Sequence, residues 1–349
     1  MAEESDEHNI GAQKKEKEKT ILTGDRPTGQ LHLGHYFGTL RNRIKLQDSY
    51  DCLFIIADLQ VLTDHPENHV NIENNVFEVM CDYLGAGLKT SNTFFIQSRV
   101  PELTELSMYF SYLVSISSLN QNPTIKEEIK KYAVKNVSLG FLGYPVSQAA
   151  DILAFKADLV PVGQDQVPHI QQAREIARNF NRAFNCGVFN LPEALVGECP
   201  VLVGTDGESK MSKSLDNIIA FAHSPEETQK RILNMVTDKK RVRATDPGHP
   251  DECPAFTYWG LFASGEELSA IRQDCEMSKY GCRECKKRLA TRINGQLQEI
   301  RERRQYYADQ PEFVWDILSR GTQRARKIAA KTLEEAREAM KISFPKIKV

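Results

Sequence analysis

Along the first two-thirds of the chain, short apolar runs alternate with longer stretches whose apolar residues recur every three or four positions. Residues 20–23, 52–57, 93–96 and 159–162 are compact apolar runs of strand length. Residues 33–47 and 69–84 carry helical spacing, as in Tyr36, Leu40 and Ile44, or Val76, Val79 and Met80. Residues 145–155 and 166–180 continue as helices on either side of the fourth strand. Strands alternating with helices long enough to cross over predict an α/β fold, a doubly wound parallel sheet covered on both faces. Beyond residue 219 the pattern changes. Residues 225–236, 287–307 and 324–340 are helical, and no strand-like run stands out. The expected organisation is a polar, disordered tail over 1–19, a sheet domain over 20–218 and an α-helical domain over 219–349. The last helices of that domain are expected to pack back on the sheet.

Charge adds an asymmetry to this picture. Residues 1–218 hold 20 Lys and Arg against 28 Asp and Glu, a net of −8; residues 219–349 hold 25 against 19, a net of +6. A basic C-terminal third suits a nucleic-acid surface, and a solvated helical face gives the same count. No run approaches the roughly 20 apolar residues of a membrane helix, and residues 1–19 lack the apolar core of a secretory signal. The expectation is a cytoplasmic protein that does not enter a membrane.

Two segments carry chemistry. The first is Gly24-Asp25-Arg26-Pro27-Thr28-Gly29-Gln30-Leu31-His32-Leu33-Gly34-His35, which follows the first strand and opens the first helix. A doubly wound sheet binds nucleotides at that place, beside the carboxyl ends of its strands and a helix N-terminus. Three glycines let the backbone approach a ligand, and two histidines three apart can share one helix face and donate to phosphate oxygens. The second segment is Lys210-Met211-Ser212-Lys213-Ser214, after a loop rich in Gly, Asp and Ser. Two lysines and two hydroxyls on a loop can clamp a triphosphate and neutralise charge developing on a leaving pyrophosphate.

His32-Leu33-Gly34-His35 resembles the HIGH signature, and residues 210–214 match the KMSKS signature, of class I aminoacyl-tRNA synthetases. The resemblance runs from about Thr20 to the C-terminus and is greatest to the tryptophanyl-tRNA synthetases. It implies a Rossmann-type, HUP-like catalytic core followed by a helical anticodon-binding domain. It also implies a reaction: tryptophan and ATP give tryptophanyl-adenylate and pyrophosphate, and the aminoacyl group then passes to tRNA(Trp). His32, His35, Lys210 and Lys213 take the catalytic positions. By position Arg26, Pro27, Thr28, Gly34, His35, Gly163, Gln164, Asp165, Val201, Lys210, Met211, Ser212, Lys213 and Ser214 contact ATP. Lys126 falls where the family has a phosphate-binding lysine, and Arg26 stands where Gln is frequent. Mg²⁺ accompanies ATP, held mainly by phosphate oxygens and water. The family further implies a homodimer.

The side-chain pocket follows from the same resemblance. Tyr144, Gln148 and Asp151 are spaced by four and three and share a helix face. A buried Asp151 accepts the indole N–H of tryptophan or the hydroxyl of tyrosine, and leaving such a group unpaired discriminates strongly. Tyrosyl enzymes use a similar Tyr, Gln and Asp arrangement. The neighbouring Pro161-Val162-Gly163-Gln164-Asp165-Gln166 looks tryptophanyl, with Val160 and Val162 against the indole, Gln166 at the amino end and Gly24 beside them. A tyrosyl enzyme is thus the near alternative. A non-catalytic paralogue that binds an amino acid or RNA is the distant one, and the intact His32, His35, Lys210 and Lys213 argue against it.

Eight cysteines without a secretory context do not read as a disulfide framework. Cys52, Cys81, Cys186 and Cys199 are scattered and read as reduced thiols. Cys253, Cys275, Cys282 and Cys285 gather into a C-x21-C-x6-C-x2-C pattern. Four thiolates suit a [4Fe–4S] cluster or tetrahedral zinc, and an unmetallated set is the third possibility. Some tryptophanyl-tRNA synthetases carry a [4Fe–4S] cluster on a similar pattern, so the resemblance implies that cluster. Lys279, Arg283, Lys286, Lys287 and Arg288 lie beside it, either for an anticodon loop or as a solvated face.

Overall fold

Five parallel strands set the frame: β1 (Thr20–Asp25), β2 (Asp51–Ile56), β3 (Thr93–Ile96), β4 (Leu159–Val162) and β5 (Glu193–Val196). The structure is a computed structural model that describes residues 19–64, 66–131, 137–197 and 202–344. The expected tail therefore lies outside the described residues, Lys19 excepted. The strand order is β3-β2-β1-β4-β5. The winding reverses between β1 and β4, which makes their carboxyl ends the switch point of a doubly wound sheet.

Alternation along the strands divides the core into two layers. Ile21, Phe54 and Phe94 pack on one face with Leu33, Tyr83 and Phe221. Leu22, Leu53 and Phe95 pack on the other with Phe110, Leu153 and Phe180. Both faces being dry, the strands read as unbroken apolar runs, which is why they are legible. β5 is different: its four residues Glu-Ala-Leu-Val join an edge by Val160↔Ala194, and its two ends are exposed. Nothing in its sequence predicts it.

The helices follow in chain order. α1 is a continuous helical run made of Leu33–His35, a π turn Tyr36–Leu40 and Arg41–Leu46. α2 (Ile72–Ala86), α3 (Glu102–Ser111), α4 (Ile116–Gln121) and α5 (Pro123–Lys131) come before α6 (Leu139–Leu153) and α7 (Val167–Ala183). Sequence placed the start of α6 near Pro145. It starts at Leu139 instead, because Ser138 caps it by accepting from Phe141 N at 3.1 Å, and Pro145 stands inside the helix.

After residue 219 come α8 (Pro225–Asn234), α9 (Pro254–Phe262), α10 (Gly265–Glu276), α11 (Cys282–Ala308) and α12 (Pro311–Ala339). The apolar layer on the Ile21 face runs on through Phe221 into Leu289 and Val314. α11 lies on α2, where a Cβ added to Gly85 would meet Arg304 Cβ at 2.8 Å. α12 lies on β3 still more closely, since a Cβ at Gly321 would stand 1.9 Å from the Phe94 carbonyl oxygen. Glycine is what permits that approach. Among the described residues no helix is long and apolar enough to cross a membrane.

Candidate active site

The first signature is shaped by its own backbone. Gly24 passes so near β2 that a Cβ there would sit 1.8 Å from Ile55 O. Gly29 turns the chain back with φ of 120°. His32 then caps α1: its Nδ1 accepts from Gly34 N at 3.1 Å, and His35 Nδ1 accepts from His32 N at 3.3 Å. Each Nδ1 being an acceptor, the proton of each neutral ring belongs on Nε2. Burial, with the charges of His35, Lys213 and Lys210, lowers the His32 pKa to about 2. Burial lowers His35 to about 4, against the pull of Asp25. Near neutral pH the pair is uncharged and presents two N–H donors. The π turn that follows is the kind of irregularity that gathers at functional sites.

Asp25 and Arg43 support this segment from beneath. Arg43 Nη1 donates to Asp25 Oδ2 at 2.6 Å, Arg43 Nη2 to Gly24 O at 3.1 Å and Tyr83 Oη to Asp25 Oδ2 at 2.7 Å. Burial would raise the Asp25 carboxyl, but Arg43, His35 and Tyr83 together hold it well below the carboxylate range.

The second signature is tied to the first. Leu33 N donates to Ile219 O at 2.9 Å and Phe221 N to Leu31 O at 3.1 Å. Buried Asn217 folds the loop, accepting from Ser212 N at 2.7 Å and donating to Asp206 and to Lys210 O. Lys213 Nζ thereby reaches Thr28 Oγ1 at 3.3 Å, across 185 residues of chain. Burial lowers its pKa to about 8, while Asp25 and Asp82 oppose the shift. The two signatures converge.

Between them, at the β1/β4 switch point, lies a cavity of about 680 Å³. Gly24, Arg26, His32, Gly34, His35, Lys210 and Met211 line it from the signatures. Tyr144, Gln148 and Asp151 line it from α6, and Val160, Val162, Gly163, Gln164, Asp165 and Gln166 from β4 and the turn after it. Thr28 and Lys213 meet each other and, like Pro27, Ser212 and Ser214, stand outside its wall. Lys126 is not brought in: it is exposed on α5, and Glu128, two residues on, is the one that lines the cavity. Val201 lies outside the described residues.

Asp151 forms one end of the cavity. Gln97 Nε2 donates to both its oxygens at 2.9 and 2.8 Å, and Gln60 Nε2 to Oδ2 at 3.1 Å. Burial raises its pKa to about 7 despite those bonds, with Asp58 adding to the rise. Such a carboxylate accepts a further N–H with large gain. Tyr144 Oη donates to Glu128 Oε2 at 2.8 Å and meets the buried His169 Nε2 at 3.0 Å. Sequence reading missed Asp25, Arg43, Gln60, Gln97, Glu128 and His169 as site residues. Asp25 and Gln97 stand at the carboxyl ends of β1 and β3, and that shared placement was the available signal.

The four clustered cysteines come together where α9, α10 and α11 meet. Cys253 precedes α9, Cys275 is near the end of α10, and Cys282 and Cys285 open α11. Burial raises the Cys285 thiol to about 11; a bond from Trp259 Nε1 at 3.3 Å opposes this, and Cys253, Cys275 and Cys282 reinforce it. Among the described residues no three His, Cys, Asp or Glu converge tightly enough to hold a single ion. Cys52 and Cys81 are buried thiols and Cys186 is a half-buried one, none of them in a disulfide, and Cys199 lies outside the described residues.

A family model described as tRNA synthetases class I (W and Y) matches residues 14–298. The tryptophan–tRNA ligase of Streptococcus agalactiae serotype V is 44% identical over 334 residues, covering 93% of this chain and 98% of the relative. That of Lactococcus lactis subsp. lactis is 44% identical over 335 residues, with the same coverage. A crystal structure of tryptophanyl-tRNA synthetase from Campylobacter jejuni, complexed with ADP and tryptophan, has a TM-score of 0.82 at 31% identity. The alignment covers 92% of this chain and 99% of that one.

Proposed function

The chain belongs to the class I tRNA synthetases of the tryptophan and tyrosine group, and from that we propose how it works as a tryptophan–tRNA ligase. The observation that carries the reading is one cavity with the neutral His32 and His35 pair and Lys210 on one wall and Asp151 on another. Tryptophan lies with its indole N–H on Asp151, between Val160 and Val162, its amino end towards Tyr144 and Gln166. Gln148 and Gly24 border it. ATP lies along Arg26, Pro27, Thr28, Gly34, Gly163, Gln164 and Asp165.

A tryptophan carboxylate oxygen bonds to the α-phosphorus, and the bond from that phosphorus to the bridging oxygen of pyrophosphate breaks. No proton moves in this step. The Nε2–H groups of His32 and His35 donate to phosphate oxygens as charge builds, and Lys210 and Lys213 neutralise the leaving pyrophosphate. Mg²⁺ would accompany ATP, held mainly by phosphate oxygens and water, and would supply further positive charge there. A ribose hydroxyl of the tRNA terminus then attacks the aminoacyl carbonyl carbon, its proton is lost, and the bond from that carbon to the phosphate oxygen breaks to release AMP. ATP–pyrophosphate exchange with tryptophan and tyrosine side by side tests the assignment. Tryptophan is expected to support exchange, and exchange with tyrosine instead would overturn it.

Three finer readings accompany this one. The helical region after residue 219 binds the anticodon loop in the cytoplasm, with exposed Arg283 and Lys287 at the start of α11 near the cysteines. The cysteines would hold a [4Fe–4S] cluster, four thiolates gathered where α9, α10 and α11 meet. The Trp259 N–H to Cys285 Sγ and the nearby Arg241 and Lys286 suit an anionic group. Protein prepared without oxygen is expected to contain iron and acid-labile sulfide, and its absence would refute the cluster. Two chains pair through α3, α4 and the start of α6, where Met108, Tyr112, Ile116 and Leu139 are 55%, 64%, 66% and 86% exposed. A monomer by sedimentation would contradict that pairing.

A further inference from the structure

Arg304, far along α11, holds two carboxylates of α2 at once. Its Nε donates to Asp82 Oδ1 at 2.7 Å, and its Nη2 pairs with Glu78 Oε2. Asp82 is fully buried, Arg304 is 11% exposed, and the helices are pressed together at Gly85. Each carboxylate has a second task. Asp82 Oδ2 accepts from Leu31 N at 2.6 Å, and Glu78 Oε2 accepts from the Gln30 side chain at 3.0 Å. Gln30 and Leu31 are the two residues before His32. The opposite edge of Leu31 is fixed by Phe221, whose N–H donates to Leu31 O.

We propose that Arg304 is a positioning residue for adenylate formation: through Asp82 and Glu78 it sets the backbone that aims His32 at the phosphates. His32 takes its place from its own cap bond and from the segment leading into it. Of the two bonds that locate Leu31, one ends on a carboxylate that Arg304 holds. A guanidinium fork can bridge two carboxylates, whereas an ammonium is a single point. Replacing the fork lets one carboxylate turn, and Gln30 or Leu31 moves with it. Displacements of about 1 Å at a reacting group cost up to about 100-fold in rate. α11 is thereby part of the catalytic scaffold, although its residues stand outside the cavity wall.

The inference rests on the synthetase reading, and the experiment separates the two. Tryptophan-dependent ATP–pyrophosphate exchange is measured for wild type, Arg304→Lys, His32→Asn and the double variant. Arg304→Lys keeps the buried charge, and Arg304→Met, which leaves Asp82 uncompensated, is followed alongside it by thermal unfolding. Arg304→Lys is expected to lower kcat about 10-fold, with the KM for tryptophan within about twofold. In the His32→Asn background the same change is expected to cost less than about twofold, because the group it aims is gone. An equal loss in both backgrounds, or no loss in the first, overturns the role of Arg304. A wild-type protein without exchange would overturn the function instead.

Discussion

Lys213→Ala is expected to slow adenylate formation by about 100- to 1,000-fold while ATP binding in the ground state changes only a few-fold. The reason lies in where the ammonium is held. Its Nζ is already held 3.3 Å from Thr28 Oγ1, near enough to His32 and His35 for its charge to lower both of their pKa values. It needs no rearrangement to meet charge that appears on pyrophosphate as the bond breaks. Interactions that strengthen only then act on kcat and leave KM nearly unchanged. Single-turnover adenylate formation at saturating tryptophan, with ATP varied, separates the two constants. The same lysine predicts an alkaline limb. Burial lowers its pKa to about 8, so the rate is expected to fall as pH rises through that value and the ammonium is lost. An unchanged adenylation rate in Lys213→Ala would contradict the role.

Arg43→Met is expected to destabilise the fold by about 3–5 kcal/mol, because Arg43 ties α1 to the end of β1 at Gly24 and Asp25. Its guanidinium is 2% exposed and paired with Asp25 at 2.6 Å. The variant leaves the Asp25 carboxylate under β1 without a counter-charge. The pH dependence should change sign. In the wild type Asp25 has a pKa below its unfolded value. Its contribution is therefore complete above pH of about 4 and is lost as pH falls through the folded value. Without Arg43 the burial effect, the largest of those acting on Asp25, raises the carboxyl. The variant then loses most above that raised value and recovers on mild acidification. Urea midpoints at two pH values check this, and a midpoint within error of wild type at neutral pH would refute it.

The two signatures and four of the five strands were legible because their signal is local. A dry strand announces itself by its apolar run, and the glycine spacing around His32 and His35 is read within twelve residues. What escaped is made by distance. Gln97 meets Asp151 across 54 positions, and Arg304 meets Asp82 across 222. No periodicity carries such pairings. β5 escaped for another reason: an edge strand of four residues needs only the exposed side of β4 to form. Pro145 misled because proline usually marks a helix start, and here the cap at Ser138 outweighs it. Lys126 stays exposed, and the helix that carries it sets Glu128 against the cavity instead.

The central claim is that the two signature loops act on one nucleotide beside one amino acid. A crystal structure with a non-hydrolysable tryptophanyl-adenylate analogue tests this most directly. The account predicts the phosphate against the Nε2 atoms of His32 and His35, with Lys213 within reach, and the indole N–H on an Asp151 oxygen. An analogue seated away from either loop, or an indole that leaves Asp151 to its glutamines, would contradict it.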